Sequence, residues 1–334
     1  MFKQISSTDP KYLAATDILI GDMSDISNEF LLFDRPIILL ANEWLEKNFP
    51  DIGIKTNLRG LENAIKRSME NSDEFMEQRK YWLEKTIYKA NGKSSKRIID
   101  TILKYSNIAN PNITIIHGGD SILMSNLNAV MVEAKKRGFK VNYVKSVDKD
   151  IRGNKNDIYI SAHFRYLNIP GGYNVHLDHG PKGKGAANVE ISKKDYKKNN
   201  YFPLINLHIT AGEVGFKRTK MQLNYLSDRA VLAGYPKADD LLRLNTSNNR
   251  RAVCQELGFN RKQPMITYAP AGEESYMKPG GSFSKEVIDK LKEIASENDY
   301  NILVKLKCHE LSFVIRVLKK LKREIQKLYK EADD

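Results

Sequence analysis

Short apolar runs rich in isoleucine, leucine and valine alternate along this chain with longer segments of helical periodicity. That alternation restricts the fold more than any other feature. The runs fall at 17–20, 36–40, 113–117, 140–144, 157–162, 174–177, 204–210, 230–233, 265–269 and 302–306. They are short and mostly apolar, as strands covered on both faces must be. Helical patterns fill 24–33, 61–88, 94–105, 121–137, 213–226, 284–297 and 311–330. Parallel strands cannot be joined by tight hairpins and need long crossovers, which these segments supply. The expected fold class is therefore α/β, with mainly parallel sheets in Rossmann-like layers.

A length of 334 residues suits about two domains, yet the pieces do not divide into two consecutive ones. The stretch Asn-Ile-Ala-Asn-Pro-Asn at 107–112 separates an opening segment from a new α/β run, and a second change falls near 226–229. Residues 1–105 offer only about two strands, too thin a sheet for an α/β domain of their own. Residues 227–334 have the same deficiency. Either the two ends meet in space or one of them pairs with another chain. The domain expectation is a unit at 112–226 and a second unit built from 227–334 plus 1–105, split across the termini.

Composition narrows the function classes. The 41% hydrophobic and 28% charged fractions exclude wholesale disorder. No apolar run approaches the length of a membrane span, and the polar start lacks the apolar core of a signal peptide. Two cysteines, Cys254 and Cys308, are too few for a disulfide scaffold, and no His/Cys cluster has zinc spacing. The expectation is a reduced, cytoplasmic protein. The net charge of +13 favours polyanionic company: nucleic acid, acidic lipid or phosphorylated substrates. Nucleic acid is the weakest of these, because the basic residues are dispersed and do not interleave with aromatics. The 311–330 segment puts Val314, Val317, Leu318, Leu321, Ile325 and Leu328 on one face and lysines and arginines on the rest. It reads as a docked helix with a solvated basic face, or as a helix lying on an anionic membrane surface.

Three groups of residues carry chemistry. A strand ends at Gly21 and a helix begins about three residues later, with Asp22, Ser24 and Asp25 in the turn. Free backbone N–H groups and the Ser24 hydroxyl there form a natural diphosphate seat. The plainer reading is an N-cap, with Asp22 or Ser24 capping and Asp25 complementing the helix dipole. The second group runs from Asn174 through His176, Asp178, His179 and Gly180 to Lys182 and Lys184. A strand-end imidazole accepts a proton near neutral pH, and a Gly/Lys loop lets backbone approach an anion. His176 shares strand parity with Asp178, and His179 has the opposite parity, which makes His179 the residue to test. The third group sits at later strand ends: Gly234-Tyr235-Pro236-Lys237-Ala238-Asp239, Tyr268-Ala269-Pro270, and Lys305-Leu306-Lys307-Cys308-His309-Glu310. Ligands of α/β sheets bind at such carboxyl ends. The His117-Gly118-Gly119-Asp120-Ser121 turn matches neither a dinucleotide fingerprint nor a Walker loop, and His163 and His208 carry no usable signal.

Together these residues resemble the CDP-glycerol glycerophosphotransferases of teichoic-acid-type polymer synthesis, which have a GT-B architecture of two Rossmann-like domains. The turn at 22–27 with its continuation Leu32-Phe33-Asp34-Arg35-Pro36 is similar to the family's T-D-Y-S-S…L-L-D-R-P segment. Residues 92–103 resemble its closing G-x-A-S-x-R helix. His179-Gly180 resembles its H-G motif, 234–239 its G-Y-P-R-x-D, 268–270 its Y-A-P-T, and 305–309 its K-x-H-P. The order differs, since motifs that normally close the second domain stand here at the N-terminus. A circular permutation explains this, as does a rearranged gene carrying the tail of one unit and the head of another. Asp25 replaces a serine, Lys237 an arginine, Pro181 a threonine, Ala271 a threonine and Glu310 a proline. An unscreened carboxylate at 25 would repel a diphosphate by on the order of a few kcal/mol.

The resemblance implies a transferase that moves a phospho-polyol from a CDP-linked donor to the hydroxyl of a polymer or lipid-linked acceptor, on the cytoplasmic side and peripheral to the membrane. In that scheme His179 is the general base. His309, Ser24 and the backbone after Gly21 hold donor phosphate, and Lys237 and Asp239 flank the nucleotide. Asp22, Asp25, Gly180, Lys182 and Pro270 line the site, with no metal or organic cofactor required. Two other readings stay open: a sugar-nucleotide glycosyltransferase or epimerase of the same architecture, and a non-catalytic basic binding protein that keeps the fold.

Overall fold

The computed structural model describes residues 1–21, 24–40, 50–119, 121–148, 151–178, 180–181, 204–222, 228–270 and 285–306. In chain order their strands are β1 (Phe2–Ser6), β2 (Ile18–Gly21), β3 (Ile37–Leu40), β4 (Ile54–Thr56), β5 (Asn112–Ile116), β6 (Lys140–Val144), β7 (Asp157–Ser161), β8 (Tyr173–Leu177), β9 (Ile205–Thr210), β10 (Ala230–Leu232), β11 (Met265–Ala269) and β12 (Asn301–Leu306). The helices are α1 (Pro10–Ala15), α2 (Asp25–Phe30), α3 (Leu61–Glu70), α4 (Met76–Thr86), α5 (Ser94–Ser106), α6 (Ser121–Lys136), α7 (Glu213–Gln222), α8 (Lys237–Leu244), α9 (Ser247–Leu257) and α10 (Lys285–Glu297).

The strands form two six-stranded parallel sheets, in the orders β1-β12-β11-β2-β3-β4 and β10-β9-β8-β7-β5-β6. The architecture is α/β and Rossmann-like or GT-B-like in general terms. The first sheet takes four strands from the opening of the chain and two from its later part, with β2 paired to β11 and β1 to β12. The second sheet takes its six strands from Asn112 to Leu232, so β10 pairs with β9 although it lies past the 226–229 change in the sequence.

Both faces of the first sheet are covered, which explains its unbroken apolar runs. Ile18, Ile20, Ile38, Ile266, Tyr268, Ile302 and Val304 pack against α3 and α10 through Leu61, Ile65, Leu291 and Ile294. The opposite parity, Leu19, Ile37, Leu39 and Ala269, packs against α1, α2 and α8 through Leu13, Phe30 and Leu241. In the second sheet Ile113, Ile115, Ile158, Ile160, Val175 and Leu207 meet α6 and also Ile98, Ile99 and Ile102 of α5. Each such fully buried side chain stabilises the fold by roughly 1.5–3 kcal/mol.

The strands expected from the sequence are all present, and two more, β1 and β4, join the outer positions of the first sheet. Both are edges whose residues are at most half-buried, so they lack the apolar signature. The single helix expected over 61–88 is two helices. It breaks at Asn71-Ser72-Asp73, where short polar side chains compete for backbone bonds; the Ser72 hydroxyl bonds Asp73, and the Arg79 guanidinium takes the Ser72 carbonyl. The helix expected over 24–33 is α2 followed by a 3-10 turn, Leu31–Phe33, that ends with Asp34 in the left-handed region at φ 50°. Helices α1, α8 and α9 were not anticipated, though α1 has Asp9 capping Lys11 N–H, and α9 has Thr246 capping Asn249 N–H and Gly258 closing at φ 69°. The 311–330 segment lies outside the described residues. Among those described, no helix is long and apolar enough to cross a membrane.

Arg79 is wholly buried and donates to Asp34 Oδ1 (2.9 Å), Asp34 O (3.2 Å) and Ser72 O (3.0 Å), tying α4 to the turn after α2. Removing it orphans all three acceptors. Arg79→Ala is expected to cost about 3 kcal/mol in urea unfolding, and Arg79→Lys to recover only part of that, because an ammonium cannot span the fork.

Candidate functional site

Parallel strands aim their carboxyl ends in one direction, and among the described residues Gly21, Ser24, Asp25, Gly180 and Pro270 stand at or just after such ends. β2 ends at Gly21, where a Cβ would lie 3.2 Å from Ser27 Oγ and 3.8 Å from Ala269 O. Ser24 occupies the N-cap position of α2, but its side chain makes no capping bond. Its hydroxyl is buried and has no hydrogen-bond partner among the described residues. The cap is served by backbone instead, Ser27 N–H donating to Ser24 O at 3.2 Å.

The loop after β8 closes on this turn. Gly180 is buried, and a Cβ placed on it would overlap the Asp25 carboxylate. Two motifs some 150 residues apart thus touch through one glycine. Asp178, just before, is fixed from the other side: its N–H donates to Ile209 O at 3.0 Å, and its carboxylate takes the Ala211 N–H at 3.4 Å.

One turn along α2 from Asp25, buried Glu29 receives Lys237 Nζ on both oxygens at 2.9 and 2.8 Å, and the Tyr235 hydroxyl on Oε1 at 2.6 Å. The phenol also lies 2.8 Å from Asn126 Oδ1 of α6. Burial first, then the Glu29 charge, push the Tyr235 phenol well above its ordinary range, so it stays a neutral donor. Lys237 is thus committed to Glu29. Asp239 is committed as well: its two oxygens accept from Ser94 N–H (2.9 Å) and Ser95 N–H (2.7 Å), capping α5. Arg97 of α5 returns the contact, donating to Ala233 O at 3.0 Å and packing under Gly234, whose φ of 112° only glycine adopts readily. The 92–97 and 234–239 motifs, read separately in the sequence, form a single joint. Pro270 is buried directly after β11. Asp22, His179, Lys182 and His309 lie outside the described residues.

Sequence reasoning passed over His208. It is wholly buried on β9, its Nδ1 2.8 Å from His176 Nδ1, and its Nε2 3.4 Å from Asp178 Oδ1 and 3.3 Å from Thr219 Oγ1. Phe164 stacks on His176 at 3.8 Å. His176, Asp178 and His208 are the one group of three potential metal ligands among the described residues. One donor atom from each lies within 4.8 Å of the other two. Elsewhere His117 accepts the Gly119 N–H on Nδ1 at 3.1 Å and stacks on Tyr143; burial, then Lys145, lower its pKa.

Residues 3–104 match a protein-family model described as CDP-Glycerol:Poly(glycerophosphate) glycerophosphotransferase. That segment runs from β1 into α5 and supports a family-level link, the rest of the chain being unaligned. No curated protein matches the chain. Among solved structures, the biosynthetic arginine decarboxylase SpeA from Campylobacter jejuni matches at 9% identity over 65% of this chain and 44% of that one. Its TM-score of 0.15 is too low to inform fold or function.

The Asp25–Gly180 contact makes a pairwise prediction. Gly180→Ala should cost about 1–2 kcal/mol by displacing the carboxylate. In an Asp25→Ala background the same change should cost less than about 0.5 kcal/mol, giving a coupling near 1 kcal/mol in a double-mutant unfolding cycle.

Proposed function

We propose that this chain is a CDP-polyol phosphotransferase of the glycerophosphotransferase type, acting on a polymer or lipid-linked acceptor at a membrane face. The observation that carries the reading is the contact between the Ser24–Asp25 turn and Gly180, which brings two of the family-like motifs to one place at the carboxyl ends of two parallel sheets. The family match over residues 3–104 supports it independently of the later motifs.

In this reading the nucleotide layer is the sheet shared by the two ends of the chain, and the acceptor layer is the sheet that begins at Asn112. The acceptor hydroxyl oxygen attacks the phosphorus that bears the polyol. A new P–O bond forms, the bond to the bridging oxygen breaks, CMP leaves, and His179 takes the hydroxyl proton. The orphaned Ser24 hydroxyl, the backbone after Gly21, and His309 hold phosphate oxygens as charge shifts to the leaving group. Asp22, Lys182 and Pro270 line the donor pocket. Lys237 and Asp239 flank the nucleotide from α8, which Glu29 and the start of α5 hold in place. The GT-B arrangement, the CDP donor and the membrane-face station all rest on this proposal.

A nucleotide panel tests it. CDP and CDP-glycerol should raise the melting temperature where UDP- and GDP-linked compounds do not; a ligand at a hundredfold excess over Kd adds about 2.7 kcal/mol. Equal stabilisation by UDP-sugars would point to a glycosyltransferase or epimerase, and no response to any nucleotide would leave a binding protein. If CMP release from CDP-glycerol is observed, His179→Ala should lower it by roughly 10²- to 10⁴-fold.

A further inference from the structure

His176, Asp178 and His208 take no part in the proposed chemistry, yet all three are buried in the second layer. The topology brings them together. β8 and β9 pair with His176 level with His208, and Asp178 follows two residues after His176, with the same strand parity. Linear spacing hides the cluster, since two strands supply it. His176 Nδ1 faces His208 Nδ1 at 2.8 Å, Asp178 Oδ1 lies 3.4 Å from His208 Nε2, and the Thr219 hydroxyl lies 3.3 Å from the same nitrogen. One carboxylate oxygen there is unsatisfied. The Asp178 carboxylate takes the Ala211 N–H on Oδ2, but Oδ1 has no hydrogen-bond partner among the described residues, and the side chain is only 1% exposed. The 3.4 Å to Nε2 is longer than a charge-assisted N–H···O bond, about 2.7–2.9 Å, so His208 does not supply the missing donor. A buried carboxylate is costly unless it is paired or coordinates a metal. Two ligands of one tetrahedral zinc, each about 2.0–2.1 Å from the metal, stand about 3.3–3.4 Å apart, the spacing that Asp178 and His208 show.

We infer that His176, Asp178 and His208 form a binding site for a first-row transition-metal dication, zinc above all. The donor set decides the class. Two imidazoles and one carboxylate suit zinc or iron, whereas magnesium and calcium are held by oxygen alone. The geometry is close to what such an ion requires. One donor from each residue lies within 4.8 Å of the other two, so closing around a metal asks for side-chain shifts on the order of an ångström. Phe164, stacked on His176 at 3.8 Å, supplies the apolar wall that shields a bound ion from water. The dication meets the charge on Asp178 and ties the end of β8 to β9 through ligands from both segments. Neither the site nor its test rests on the transferase reading.

Metal analysis of the full chain tests the site without any need for turnover. Protein expressed with zinc in the medium and then desalted should carry about one zinc per chain, released on unfolding in guanidinium with a chelator. X-ray absorption at the zinc edge should show nitrogen and oxygen neighbours at about 2.0–2.1 Å, imidazole scattering and no sulfur. Zinc should raise the melting temperature of the refolded, metal-stripped chain, and magnesium should not. Asp178→Asn and His208→Gln should each lower the bound zinc by about tenfold or more, at least the effect of losing an outer partner, with native circular dichroism. His117→Ala, at the histidine stacked on Tyr143, should keep it. Where either ligand variant fails to fold, the absorption spectrum of the wild type decides alone. A wild-type chain that carries no first-row metal and whose melting temperature ignores added zinc would overturn the site. So would zinc that survives in both folded ligand variants, or a shell containing sulfur, either of which marks an adventitious ion only.

Discussion

The pairing of β2 with β11 is the constraint on which the rest depends. Ile18–Gly21 bond to β3 along one edge and to β11 along the other, so a strand from the opening of the chain is interior only because a strand nearly 250 residues later lies beside it. Unpaired buried backbone groups cost about 1–3 kcal/mol each, and a parallel strand apolar on both faces has no use at an exposed edge. The register also sets the site. Gly21 stands level with Ala269, so β2 and β11 end side by side.

The short helix α2 then solves an electrostatic problem of its own making. Asp25 and Glu29 are like charges at i and i+4, a spacing that destabilises an isolated helix. The fold separates their obligations. Asp25 abuts the backbone at Gly180, while Glu29 is neutralised by Lys237 and satisfied by Tyr235. A buried ion pair of this kind adds little net stability over an apolar pair, but breaking it leaves an uncompensated charge. Its contribution is therefore geometric. It fixes α2 of the first sheet against the segment between β10 and α8, and Asn126 carries the contact on to α6. Tyr235, Glu29 and Lys237 thus link elements packed on the two sheets.

Much of the fold was legible because burial on both faces writes itself into sequence as unbroken apolar runs. Where burial fails, so does the signal: Phe2–Ser6 and Ile54–Thr56 are edges and read as polar. The break at Asn71-Ser72-Asp73 was hidden for a different reason. Helical periodicity continues across it, and the turn is held by bonds that periodicity does not encode, among them Arg79 to the Ser72 carbonyl and Glu74 N–H to Asn71 O. At the site, the motifs of 21–25, 178–180 and 234–239 were visible as strand-end residues, but their pairing was not. Lys237 and Asp239 were read as flanking a nucleotide, and the sequence held no sign that Asp239 accepts the α5 amides or that Lys237 pairs with Glu29. His208 was invisible, because a histidine inside an apolar strand looks the same whether or not it faces a second imidazole.

The mixing of early and late strands in the first sheet follows from the same physics. Hydrogen bonds between parallel strands record direction and register, not which strand was made first. What the chain must supply is a crossover between each pair of strands, and α5 supplies one that also joins the two layers. Its amides are capped by Asp239 and its Ile98, Ile99 and Ile102 lie in the core of the second sheet. It ends at Asn107 in the left-handed region, after which β5 begins at Asn112. Because the end of α5 rests on the sheet that β5 enters, a connection of a few residues suffices. A chain that entered this architecture elsewhere would form the same strand pairs.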